Sequence, residues 1–113
     1  MTRHDDRISM RQMLDYARQA VAMAHGRDPS DLESDTMFQL ALTRLIEIIG
    51  EAASRVSMPT RERFPEIPWP DIVGMRNRLV HGYDVVDLNL LWDTVATDLP
   101  PLIASLEKIV EQE

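Results

Sequence analysis

The sequence has no cysteine, which excludes disulfides and thiolate metal sites and makes a reducing compartment, the cytoplasm, the expected location. No apolar stretch of signal-peptide length follows Met1-Thr2-Arg3-His4-Asp5-Asp6, and nowhere do eighteen apolar residues run together, so neither standard secretion nor a membrane span is expected. Imidazole metal sites are equally short of material: His4, His25 and His81 lie far apart, with no His-x-x-x-His pair, and no metal is expected in this chain. Alternating strand patterns of useful length, internal repeats and low-complexity tracts are all missing. Basic residues are in deficit, 12 Lys and Arg against 19 Asp and Glu, and a formal charge of −7 counts against a uniformly phosphate-neutralising surface.

What is present is 113 residues, 44% hydrophobic and 27% charged, the balance of one soluble globular domain spanning residues 1–113. A chain of this size can fold unaided, or a partner subunit can complete its core. The charge is unevenly spread. From Arg44 through Tyr83, six arginines (Arg44, Arg55, Arg61, Arg63, Arg76, Arg78) face five acids for a net of +1, while the remainder carries −8. A locally basic centre in an acidic exterior suits a chain held by a basic partner, and it is equally the pattern of a plain acidic surface.

The apolar periodicity predicts an all-α bundle of four main helices, with short extra turns allowed. Ile8, Met10, Leu14, Ala17, Val21 and Ala24 mark the first helix, from about Asp5 to Ala24, stopped by Gly26. Residues 26–31 read as turn chemistry, and Ser34 or Asp35 can cap a second helix from Thr36 to Val56, apolar on nearly every side and expected to be the most buried. Within it, Gly50 costs about 1 kcal/mol relative to alanine, which predicts a close helix approach. Pro59, Pro65, Pro68 and Pro70 make 57–70 an irregular connection, pinned by Trp69. A third helix, which Pro70-Asp71 can open, is expected from Asp71 to Val80, loosened by Gly82, and a fourth from Leu88 to Ile109, capped by Asp87 and kinked near its middle by Pro100-Pro101.

Chemistry concentrates in Met75-Arg76-Asn77-Arg78-Leu79-Val80-His81-Gly82-Tyr83. On a continuous helix Asn77 and His81 share a face and Arg78 neighbours His81, whereas Arg76 and His81 stand about 140° apart and meet only through distortion or across a two-fold axis. Cleavage of RNA by the ribose 2′-hydroxyl needs a group near neutral pKa to move protons and a cation for the charge on phosphorus; histidine and arginine supply these. On spacing alone, solvated arginines and a histidine favourable to a helix C-terminus account for the same residues. Arg44 and Glu47, on the second helix, read either as a paired charge at the bundle margin or as residues of the site groove that help to hold Arg76.

Arg76, four residues, His81, Gly82, Tyr83 resembles the defining pattern of the HepT-like toxins of the HEPN superfamily, Arg, four to six residues, His, one residue, Tyr. The neighbouring segments Arg44-Leu45-Ile46-Glu47-Ile48-Ile49-Gly50-Glu51-Ala52 and Ile67-Pro68-Trp69-Pro70-Asp71-Ile72-Val73-Gly74-Met75 are similar to the family too, as are Arg7-Ile8 and Met13-Leu14. The resemblance implies a dimeric HEPN bundle and a metal-independent endoribonuclease acting on tRNA or mRNA. It assigns Arg76 and His81 as catalytic and Asn77 as assisting, and sets Arg78 and Arg44 in supporting positions. It further implies a type VII-like toxin–antitoxin pair, in which a minimal nucleotidyltransferase (MNT) antitoxin attaches AMP to Tyr83, with ATP and Mg²⁺ belonging to that partner. A non-catalytic HEPN subunit that binds nucleotide or a nucleotidyltransferase is the alternative it leaves open, and a purely structural dimerisation bundle is the third.

Overall fold

A computed structural model describes residues 5–81 and 85–111, His81 by its backbone alone. The architecture is an all-α bundle with a β-ribbon of two-residue strands. Helix α1 (Asp6–Ala24) starts where Asp5 accepts a hydrogen bond from the Arg7 amide, and the chain leaves it through Gly26 at φ 76°, a left-handed turn suited to glycine. Its buried stripe is Ser9, Met10, Met13, Leu14, Ala17 and Ala20; Ile8, expected inside, is exposed, because the stripe is rotated toward Met13.

The segment expected to be a plain turn contains a short helix, α2 (Ser30–Ser34), whose Leu32 is fully buried. Asp35, one of the two anticipated caps, accepts from the Phe38 amide at 3.1 Å and opens α3 (Thr36–Ser54). Arg27 donates to Asp35 and stacks 4.0 Å over Phe38, and these hydrogen bonds, with that of the Phe38 amide foremost, hold the Asp35 carboxyl below its usual range.

Helix α3 packs on α1, on α2 and on the later helical segments Trp69–Val73 and Met75–Leu79, and buries Phe38, Leu42, Leu45, Ile46 and Ile49. It is not buried all round: Met37 is 82% and Leu40 59% exposed, one turn apart on its outer side. At Gly50 a Cβ would stand 3.1 Å from the Ile72 carbonyl oxygen, so the absent side chain admits the backbone of the next layer, as its place within the helix suggested.

Two corrections apply to the middle of the chain. The connection after α3 is partly helical, with α4 (Met58–Arg63), because Pro59 falls in a first turn, where a missing amide costs nothing; Pro70, as expected, lies in the first turn of α5 (Trp69–Val73). The expected helix from Asp71 to Val80 is broken at Gly74 into α5 and α6 (Met75–Leu79). Beyond Leu79 the chain turns extended: β1 (Val80–His81) pairs antiparallel with β2 (Val85–Val86), His81 opposite Val85, and the Asp87 amide donates to Leu79 at 2.8 Å. Trp69 pins the connection as expected, 4% exposed and with its indole N–H donating to the Phe64 carbonyl at 3.1 Å.

Asp87 caps α7 (Leu88–Asp93) by accepting from Leu90. The expected kink is a π-helical turn over Thr94–Asp98, in which the Leu99 amide reaches back to the Thr94 carbonyl, and Pro100 and Pro101 then occupy the first turn of α8 (Leu99–Val110). Widening the turn removes the clash between a proline ring and the carbonyl four residues before it. Helix α8 returns along α1, where Arg18 donates to Glu107 at 2.6 Å and to Glu111 at 2.8 Å; Arg18, with Arg11, holds the Glu111 carboxyl below its usual range. The buried apolar residues of all these layers form one cluster.

Candidate active site

Helix α6 is little more than one turn, and two of its five residues anchor it: Met75 and Leu79, four apart, are buried. Arg76, Asn77 and Arg78 between them are exposed. Arg76 leans on α3, its Nε donating to Glu47 Oε2 at 3.0 Å. Glu47 stands 3.8 Å from Arg44 Nη1, which donates to Glu51 at 3.3 Å. Two cations and two carboxylates therefore alternate along one side of α3, and the Glu47 side chain is the most covered of the three measured at its contacts, 21% exposed against 58% for Arg44 and 55% for Arg76.

Arg78 goes elsewhere. Two residues on from Arg76, it lies about 200° around the helix. Its Nη2 donates to the Asp71 carbonyl at 2.9 Å, and it lines a cleft of about 440 Å³ between α5–α6 and the start of α8, with Ile72, Met75, Asp98, Leu99 and Leu102. The structure thus brings Arg44, Glu47 and Arg76 together and separates Arg78 from them.

The helical spacings do not carry over to His81. Since α6 ends at Leu79, His81 sits on β1, and the i to i+4 relation with Asn77, like the i to i+3 relation with Arg78, is replaced by a sharp exit from the helix. That exit supplies the departure from helical geometry that a meeting of positions 76 and 81 within one chain requires. The His81 side chain and Tyr83 lie outside the described residues, as does His4. His25 is the C-cap residue of α1, beside Gly26 as expected.

Glu47 makes the contacts that both of its readings anticipated, the ion pair with Arg44 and the hydrogen bond from Arg76. Glu51, seven residues or two helical turns from Arg44, lies on the same stripe and accepts from it. Among the described residues no group of three or more His, Cys, Asp or Glu side chains could hold a metal ion. Nor is any helix among them long and apolar enough to cross a membrane.

Residues 13–109 match the family model described as ribonuclease HepT-like. This chain belongs to that family. The HepT-like chain is 33% identical over 107 residues to a candidate RNase of Methanocaldococcus jannaschii, covering 95% of this chain and 98% of the relative. It is 40% identical over 79 residues to the probable ribonuclease HepT of Thermococcus cleftensis, covering 70% of this chain and 72% of that one. A candidate RNase of Caldanaerobacter subterraneus is 34% identical over 83 residues, 74% of each chain. No solved structure matches the HepT-like chain significantly.

Proposed function

We propose that this HepT-like chain is a metal-independent endoribonuclease and the toxin of an antitoxin pair. The observation that carries the reading is Arg76: within a ribonuclease-family fold it is an exposed cation held against α3, immediately before the turn that leads to His81. In this reaction the His81 imidazole takes the proton of a ribose 2′-hydroxyl, whose oxygen attacks phosphorus. The P–O5′ bond breaks, the leaving oxygen is protonated, and a 2′,3′-cyclic phosphate and a 5′-hydroxyl remain. Arg76 stabilises the charge that grows on the phosphoryl oxygens, and Asn77 assists from the same exposed turn.

A homodimer in the cytoplasm is part of the proposal. Met37 and Leu40 expose apolar surface on the same side of α3 as Arg44 and Glu47, which supports a second copy covering this face and bordering both sites. The substrate is tRNA or mRNA. Purified protein is expected to cut RNA in the presence of EDTA and to leave cyclic-phosphate ends. No cleavage, combined with tight nucleotide binding, would replace the enzyme with a non-catalytic binding subunit.

The proposed antitoxin is an MNT-type nucleotidyltransferase that uses ATP and Mg²⁺ to attach AMP to Tyr83. Two residues from His81, the adduct would obstruct the RNA path and add negative charge that repels phosphate. Mass spectrometry after co-expression with the transferase is expected to show added AMP on wild type and none on Tyr83→Phe. A Tyr83→Phe protein that still gains AMP would move the modification to another residue.

A further inference from the structure

An arginine that binds a phosphoryl group in a transition state must present its terminal amino groups at a fixed position, yet its long three-methylene stem makes it one of the most freely rotating side chains. Something has to hold it without occupying the end that does the work. The guanidinium hydrogen bonds of this chain show the difference. Arg61 spends Nε on the Val56 carbonyl and Nη2 on the carbonyls of Ala53 and Ser54, closing the end of α3. Arg78 spends Nη2 on the Asp71 carbonyl, and Arg18 spends both terminal nitrogens on Glu107 and Glu111. Arg76 is gripped at Nε, by Glu47 at 3.0 Å, and its side chain stays 55% exposed beyond that grip.

We propose that Glu47 is the positioning residue of the site: it anchors Arg76 by the inner nitrogen so that both terminal amino groups face a phosphodiester. This inference rests on the ribonuclease reading of Arg76. Three features fit the role. Glu47 is on α3, a rigid helix of 19 residues, whereas Arg76 rides on a five-residue helix that needs outside support. Gly50, one turn further along α3, lets the Ile72 and Val73 carbonyls approach, and this sets the spacing between α3 and the segment carrying Arg76. Arg44, 3.8 Å from the same carboxylate, supplies a second cation, so Glu47 does not leave the neighbourhood net negative where RNA must approach.

Arginine stays protonated at every working pH, so Glu47 is not needed to keep Arg76 charged. Its contribution is geometric. A carboxylate beside the cation also opposes phosphate binding slightly, and the arrangement is favourable only if fixed direction outweighs that opposition. The requirement is an acceptor oxygen at the right reach, which separates reach from charge experimentally: Glu47→Gln retains an acceptor at that distance and loses the charge, whereas Glu47→Asp retains the charge and loses one methylene of reach.

The test combines RNA cleavage kinetics with the Nε–H resonance of Arg76 in ¹⁵N-labelled protein. Glu47→Ala is expected to lower kcat by about 10- to 100-fold, the range found when groups that orient a catalytic group are removed, with KM changed less than about threefold. Glu47→Gln should recover most of the rate and Glu47→Asp should not. The Nε–H of Arg76 should exchange slowly with solvent in wild type and in Glu47→Gln, and rapidly in Glu47→Ala, all three proteins keeping wild-type helicity. Rapid exchange in wild type overturns the inference whatever the activity, and so does a Glu47→Ala enzyme that cuts RNA at the wild-type rate. If wild type cuts no RNA while its Nε–H is protected and Glu47→Ala releases it, the anchoring of Arg76 stands and the ribonuclease reading is what fails.

Discussion

Replacing His81 with alanine is expected to slow RNA cleavage by about 10²- to 10⁴-fold, the contribution of a positioned proton-transfer group. The backbone of His81 pairs with Val85, and alanine can make the same pairing, so helicity and thermal midpoint should stay near wild type. Arg76→Ala should cost on the order of 100-fold or more, as loss of a charge-stabilising donor does elsewhere. Arg76→Lys should rescue little: lysine keeps the positive charge but has neither an Nε–H for Glu47 nor a planar pair of terminal donors. Initial rates on a labelled RNA, with circular dichroism of each variant, check these expectations. A His81→Ala protein as active as wild type would remove the imidazole from the mechanism. Full activity in Arg76→Ala would return Arg76 to being a solvated charge.

The two long helices were legible because their apolar periodicity extends over 19 residues each, and Asp35 and Asp87 announced their caps by type and place. Single residues misled where local pattern and packing differ. Ile8 fits the apolar period of α1, but the neighbouring layers cover the stripe through Met13 instead. Pro59, read only as a breaker, proved to be a helix starter, whereas Pro70 opens a helix as its place before Asp71 suggested, since a proline's effect depends on which turn it falls in. The π-helical turn left only an indirect trace in Pro100-Pro101, and strands of two residues, Val80–His81 and Val85–Val86, are too short for any alternation to declare them.

The candidate site could be read from the sequence as a set of residue types and not as an arrangement. Arg76 and His81 stood out by type, but their relation depends on where α6 ends, and a helix of five residues has no periodicity to mark its limit. Arg78, adjacent in sequence, is turned to another cleft by two residues' rotation. Glu47 lies 29 residues before Arg76, and their pairing follows from how closely α3 and α5 approach at Gly50, a tertiary distance that sequence spacing does not contain.

That dependence on seating explains why the largest stability loss is expected at Trp69 rather than in the motif. Its ring is 4% exposed at the start of α5, and α5 passes directly into α6 and Arg76. Trp69→Ala empties an indole-sized volume and leaves the Phe64 carbonyl with the Ile67 amide as its remaining donor, for a cost of about 3–5 kcal/mol. Against a total stability of about 5–15 kcal/mol for a domain of this kind, that lowers the thermal midpoint by roughly 10–20 °C. Trp69→Phe keeps most of the apolar volume and loses the hydrogen bond, so it should cost about 1–2 kcal/mol. Denaturant titration of the three proteins checks the order. A Trp69→Ala protein within about 1 kcal/mol of wild type would mean that the connection, and the position of Arg76 with it, is held from elsewhere.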